Sequence, residues 1–229
     1  MQNIIEQWNQ AAVHYAEDQD RSPFAQSNRR IVRQRFRDLT GARVLDLGCG
    51  HGAYTGYFRS IGAEVTGVDG AEAMLAIARE RCPDCTFLQC DITRPLPFAD
   101  AQFSLVFCNQ VLMDIESVPA VLAECRRVLH SGGVLYISIV HPAFYNSPWL
   151  KDESGTAYAK AVSGYLQPHT VTNRFWGETA HFHRPLSYYL NAAADHGFRL
   201  VRTDEPAAYD PATNTADLPL FFFAEFSKE

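Results

Sequence analysis

The stretch Arg43-Val44-Leu45-Asp46-Leu47-Gly48-Cys49-Gly50-His51-Gly52 decides how the rest of this 229-residue chain is read. Val44, Leu45 and Leu47 form a short apolar run of the kind that makes a strand buried on both faces. Three glycines at alternate positions then break the run. Without a Cβ, glycine lets the backbone turn sharply and lets a ligand come close. Ala53 to Arg59 reads as a helix whose N-terminus aims free N–H groups back at the loop. Strand, glycine turn and helix open a nucleotide-binding α/β sheet.

Gly48, Gly50 and Ala53 satisfy the dinucleotide pattern G-x-G-x-x-G/A, so an NAD-type reading stands at this point. Asp46 counts against it. A carboxylate at the strand's carboxyl end would face a pyrophosphate across a short gap, and like charges in a half-buried site repel. It favours a ligand carrying positive charge. Here the sequence resembles the class I S-adenosylmethionine (SAM)-dependent methyltransferases, whose first motif reads V-L-D-x-G-x-G-x-G and is met at Val44 to Gly52. SAM carries a sulfonium and an α-ammonium and no phosphate.

Further strands add acids at the same place. Ala63 to Val68 reads as a second strand ending in Asp69-Gly70, with Asp69 lying 23 residues beyond Asp46. An acid there is placed to accept from both ribose hydroxyls, as it does in NAD enzymes too. Thr86 to Cys90 reads as a third strand ending in Asp91, followed by Ile92. Three carboxylates at successive strand ends make a negative crevice that suits a cationic cofactor. Asp91 also fits a plainer role, capping the turn into Thr93-Arg94-Pro95. The resemblance assigns Asp91 to the adenine amino group and Ile92 and Met74 to the adenine ring. It draws Gly48, Cys49, Gly50, Gly70 and Asn109 into the same crevice.

Phe103 to Cys108 reads as a buried strand running into Asn109-Gln110-Val111-Leu112. Family members acting on exocyclic amines carry N-P-P-F/Y there, so this departure lowers nucleobase and glutamine amides as substrates. Ser117 to His130 reads as a helix, and Arg127-Val128-Leu129-x-x-Gly132-Gly133 as the turn into a fifth strand, Val134 to Val140. That R-V-L-x-x-G-G is a second stretch similar to the family. A helix from Leu186 to His196, a strand from Phe198 to Val201 and a last strand from Leu220 to Phe226 follow. A Pro/Asn/Asp loop with no helix joins those two strands, so they must pair antiparallel. The expected fold is α/β: a Rossmann-like, doubly wound, seven-stranded sheet, mostly parallel with an antiparallel C-terminal strand. One domain is expected over 1–229.

Two further segments flank that core. Residues 1–40 carry two helices. The first sets Ile4, Ile5, Trp8, Ala11, Ala12 and Tyr15 on one face, and the second spans Gln26 to Leu39 with Gly41 as C-cap. The first helix either lies over the sheet or, as the resemblance implies, covers the cofactor with Trp8 and Tyr15 in the site. Residues 142–183 hold Phe144, Tyr145, Trp149, Tyr158, Tyr165, Phe175, Trp176 and Phe182 with no sustained periodicity. This aromatic-rich insertion reads as a cap over the crevice, the alternative being an irregular loop with a mini-core of its own.

Composition narrows the partners. Net charge is −6 at a pI near 5.7, without a Lys/Arg run, which disfavours nucleic acid. No apolar run approaches a bilayer span, and Met1 to Gln10 lacks the basic and apolar regions of a secretory signal. Six cysteines in mostly apolar contexts fit reduced core thiols in the cytoplasm. Cys82-Pro83-Asp84-Cys85 lacks the second pair a zinc site needs, and no metal is expected.

The expected function is transfer of a methyl group from SAM, leaving S-adenosylhomocysteine, to an O, N or C atom of a small molecule with apolar or aromatic surface. A non-catalytic SAM-binding or regulatory protein and, less, an NAD(P)-dependent oxidoreductase are the alternatives. His141 sits just past the fifth strand, and His183 precedes the helix that returns the chain to the sheet. His181 and His183 flank Phe182 and share a face if extended. These histidines could pack the cap, hold a metal or touch the acceptor. His141 and His183 are the candidates for a catalytic base. The oligomeric state stays open.

Overall fold

The computed structural model describes residues 3–206 and 218–229. Eleven strands and six α-helices are described: α1 (Ile4–Arg21), α2 (Pro23–Arg35), β1 (Arg43–Leu47), α3 (Ala53–Ser60), β2 (Glu64–Asp69), α4 (Glu72–Arg81), β3 (Thr86–Gln89), β4 (Phe103–Asn109), α5 (Val118–Val128), β5 (Leu129–Val140), β6 (Trp149–Lys151), β7 (Ala157–Lys160), β8 (His169–Asn173), β9 (Thr179–His183), α6 (Leu186–Asp195), β10 (Phe198–Asp204) and β11 (Phe221–Lys228). A 3-10 turn, Leu112–Asp114, follows β4.

Seven strands form one sheet in the order β10-β11-β5-β4-β1-β2-β3. β11 runs antiparallel to both its neighbours, and the remaining pairs are parallel. The apolar run of β1 is buried on both faces, as a central parallel strand must be. On one face Ile31, Val32 and Phe36 pack with Phe58 of α3 against Val44, Leu105, Phe107 and Tyr136. On the other, Val121, Leu122 and Cys125 of α5 and Tyr189 and Ala193 of α6 cover Leu45, Val106, Leu135 and Ile137. The strand order reverses between β1 and β4, and a ligand crevice opens at the carboxyl edge of such a switch point.

Several expected boundaries move. The second helix begins at Pro23 and stops at Arg35, because Ser22 ends α1 and Pro23 pre-sets φ for a new helix. Gly41 is not its cap. It holds φ +75° in the turn entering β1. Helix α5 ends at Val128, and Leu129 already pairs with Phe103, so the R-V-L-x-x-G-G stretch joins the end of α5 to the bulged start of β5. The 142–183 insertion is not irregular: it forms two antiparallel hairpins, β6–β7 and β8–β9. Non-local packing rather than periodicity holds these short strands, which is why no period announced them. The expected Pro/Asn/Asp loop before β11 falls largely at 207–217, outside the described residues.

All six cysteines are free, and among the described residues no helix is long and apolar enough to cross a membrane.

Candidate active site

A cleft of about 1450 Å³, counted out to its open mouth, lies along the carboxyl edge of β1, β2, β3 and β4. Its floor is the glycine loop. The N–H groups of Gly48 and Cys49 donate to the Val68 carbonyl at 2.8 and 2.9 Å, tying the loop to the neighbouring strand. Gly48 has φ +74°, and a Cβ there would sit 2.5 Å from Val111 Cγ2. At Gly50 a Cβ would meet nothing within 4 Å, so the space above it is open to a ligand.

The three strand-end acids converge on this floor. Asp46 is 2% exposed and accepts from Thr55 Oγ1 at 2.6 Å. Burial pushes its carboxyl up to about 7, the Thr55 hydroxyl opposing and the Asp69 charge adding. Asp69 accepts from the Gly50 and Ala71 N–H groups at 2.9 and 2.8 Å. Burial raises its pKa, and those backbone donors pull the other way. Asp91 does cap its own turn, accepting from Thr93 N and Oγ1 at 2.9 and 2.6 Å, and it borders the cleft as well. Both readings of Asp91 are therefore compatible with its place. Asn109 accepts from Ser138 Oγ at 2.5 Å, which holds its side chain at the end of β4.

All eleven residues expected at the cofactor line this one cleft: Tyr15, Asp46, Gly48, Cys49, Gly50, Asp69, Gly70, Met74, Asp91, Ile92 and Asn109. Tyr15 and Trp8 come from α1, which packs on α4 through Ala12, Ala71 and Met74. Trp176, from the loop between β8 and β9, meets both rings, at 4.8 Å from Tyr15 and 6.2 Å from Trp8. Gln7 Oε1 accepts from the Ala180 N–H at 2.9 Å and fastens the same hairpin to α1. Helix α1 and the β8–β9 hairpin thus meet at the cleft, which both help to line.

The two histidines expected as bases are placed elsewhere. His141 is buried but does not border the cleft: its Nε2 lies 2.6 Å from Glu205 Oε1, and its Nδ1 accepts from Ala143 N–H at 3.2 Å. With both nitrogens engaged it has no free lone pair to take a proton. His183 also lies off the cleft, its Nε2 2.9 Å from the Tyr165 carbonyl and its ring stacked on His169 at 4.5 Å. Strand alternation aimed His181 and His183 to one side, but β9 enters the cleft only at His181.

Sequence reasoning missed three groups that do border the cleft. His51 is 6% exposed, and burial, with the Arg81 and Arg29 charges, lowers its pKa to about 4, so it is neutral at physiological pH. Among the described residues its Nε2 has no hydrogen-bond partner, and neither does Nδ2 of buried Asn28, whose Oδ1 accepts from the Tyr54 hydroxyl. Arg29, the residue after Asn28 in α2, is the cleft's one lysine or arginine among the described residues. The sole sequence signal for His51 was its place inside the glycine loop. Among the described residues no three His, Cys, Asp or Glu groups converge as a metal site would require.

Residues 45–137 match the family described as "Methyltransferase domain". The chain is 38% identical over 137 residues to a malonyl-[acyl-carrier protein] O-methyltransferase of Enterobacter lignolyticus, covering 58% of this chain and 52% of that one. It is 27% identical over 203 residues to a ubiquinone biosynthesis O-methyltransferase of Methylococcus capsulatus, covering 85% and 80%. It spans about half the length, or less, of most of the curated relatives it matches. A crystal structure of a putative S-adenosylmethionine-dependent methyltransferase from Listeria monocytogenes superposes with a TM-score of 0.78 at 24% identity, over 90% of this chain and 99% of that one. That likeness is one of fold.

Proposed function

We propose that this chain, by family a class I SAM-dependent methyltransferase, moves the methyl group of SAM to an O, N or C atom of a small-molecule acceptor with apolar or aromatic surface. The observation that carries the reading is the convergence of Asp46, Asp69 and Asp91 on an open glycine floor, opposite a wall of apolar and aromatic side chains. The residues fit the cofactor on their own chemistry. The carboxylates suit a cation and a ribose diol. Where α2 faces the glycine loop, the Asn28 and His51 nitrogens that have no partner among the described residues, with Arg29 also lining the cleft, suit a carboxylate. A buried polar atom left unpaired costs about 1–3 kcal/mol, so these atoms await a ligand or water.

When bound, SAM supplies an electrophilic methyl carbon on a sulfonium. The chain's part is to hold and align. Asp69 would take the ribose hydroxyls, Asp91, Ile92 and Met74 would border the adenine, and Asp46 would face positive charge. Trp8, Tyr15 and Trp176 exclude water from above. The two relatives compared above are both named O-methyltransferases, which supports oxygen here. Free cysteines and an acidic surface support a cytoplasmic enzyme that ignores nucleic acid.

Calorimetry with SAM, S-adenosylhomocysteine and NADPH tests the cofactor, with binding of the first two and not the third expected. Incubation of labelled SAM with a metabolite extract tests catalysis. Tight cofactor binding with no label transferred would leave a non-catalytic SAM-binding protein.

A further inference from the structure

Away from the glycine floor, the cleft is lined by Met113, Ile115, Val140, Tyr145, Trp176 and Phe221, with a polar pair set among them. His181 of β9 and Asp114 of the 3-10 turn are 5% and 8% exposed, with His181 Nδ1 3.6 Å from Asp114 Oδ1. That is ion-pair distance, slightly beyond a good hydrogen bond. The two come from segments 67 residues apart in sequence, and a buried arginine joins those segments. Arg184 Nη2 donates to the carbonyls of Ile115 and Glu116 at 2.8 and 2.7 Å. Its guanidinium also lies over the Phe182 and Tyr188 rings. The residue just past β9 is thus clamped to the turn that carries Asp114. Burial pushes the Asp114 carboxyl up and the His181 imidazole beside it pulls the other way, so a proton gained by His181 favours the Asp114 carboxylate.

We propose that His181, oriented by Asp114, is the general base that takes the proton of an acceptor hydroxyl. The acceptor is a flat, mainly apolar molecule bearing a phenol- or enol-type hydroxyl. This rests on the methyl-transfer reading above. In the step, the hydroxyl proton passes to the His181 imidazole and the oxygen's electron pair forms the O–CH3 bond. The C–S bond breaks with its pair returning to sulfur, so the sulfonium becomes a neutral thioether and the imidazole a cation. Asp114 offsets that new charge. The other ionisable groups facing the pair do not compete as bases. Burial pushes Tyr145, after β5, up to about 12 and raises Tyr15 of α1 further, so both stay protonated. Asp18 of α1 reaches this region only as a distant charge on Tyr145. Imidazole matches a phenol better than a carboxylate does, because a base works best near the operating pH. Arg184 is a positioning residue.

The test uses the full chain, tritium-labelled SAM and a panel of phenols and catechols with 4-nitrocatechol as reference, together with NMR titration of the His181 imidazole in the S-adenosylhomocysteine complex. We expect methylation of panel members, and at least a 100-fold loss of kcat in His181→Gln with S-adenosylhomocysteine affinity within twofold of wild type. Added imidazole should restore turnover to His181→Gly. Asp114→Asn removes a negative charge from beside the ring, so the NMR pKa and the acid limb of kcat/KM should both move to lower pH. A merely structural pair could shift the NMR pKa but would give neither the rescue nor a kcat/KM limb that moves with it. Near-wild-type turnover in His181→Gln, an NMR pKa indifferent to Asp114→Asn, or no methylation of any phenol by a protein that binds S-adenosylhomocysteine would each overturn the proposal. If the histidine variants do not fold, the wild-type acid limb decides: it must coincide with the His181 NMR pKa. Failure of S-adenosylhomocysteine to bind the wild type would instead fell the methyl-transfer reading itself.

Discussion

Asp46 and Asp69 share a cleft, yet the chain treats them differently. Asp69 accepts two backbone N–H bonds, and its carboxylate still faces open space. Replacing it with Ala removes charge-assisted bonds worth ~1.5–3 kcal/mol each. We therefore expect Asp69→Ala to weaken SAM by roughly 2 kcal/mol or more in a folded protein, read by calorimetry, and unchanged affinity would refute the ribose role. Asp46 accepts a single hydroxyl bond and lies deeper, and its pKa rises from 3.8 to about 7. In the unfolded chain it ionises near its ordinary value, whereas in the fold it stays protonated. Its contribution is therefore fully present below pH 3.8 and lost as pH rises to about 7. Above that, a buried anion stands waiting for a cation. The apo protein should thus lose thermal stability between pH 4 and 7 more steeply than Asp46→Asn, whose amide oxygen can keep the Thr55 bond. The Tm gain on adding SAM should grow across the same window in wild type and stay flatter in the variant.

Between elements, the telling contact is the one that α1 makes with the β8–β9 hairpin. Trp8, Tyr15 and Trp176 form a three-ring cluster over the cleft. Aromatic pairs of this kind add about 0.5–1.5 kcal/mol beyond the area they bury. Trp176 belongs to a loop tip and takes no part in the main sheet, so truncating it should leave the fold intact. Trp176→Ala is expected to raise the S-adenosylhomocysteine Kd by about 3–10-fold, chiefly through faster release in stopped flow, with Tm within a few degrees of wild type. An unchanged release rate would mean that the helix and hairpin do not close the site.

For the molecule as a whole, charge and packing set the partners. A net charge of −6 and a cleft floored by carboxylates oppose a phosphate backbone, whose binding depends on neutralisation by Lys and Arg. Filter binding with transfer RNA at physiological salt should therefore show no salt-sensitive retention. Tight binding that weakens steeply with salt would overturn the small-molecule reading.

How much of this could be read before folding depends on whether the signal was local. The β1 run, the glycine spacing and an acid after three successive strands are local patterns, and with the methyltransferase resemblance they carry, they add up to the sheet and eleven residues of the cleft. The parallel sheet needs such runs because its strands are buried on both faces. The cap and the base were not local. His141, His181 and His183 look alike as letters. Which of them meets the cleft follows from the clamp of Arg184 on the 3-10 turn, from Glu205 engaging His141, and from His169 stacking under His183. Likewise, nothing in the spelling of Asn28 or His51 marks them as donors without partners. A side chain's partners are set by which segments the fold brings side by side, and only the tertiary structure decides that.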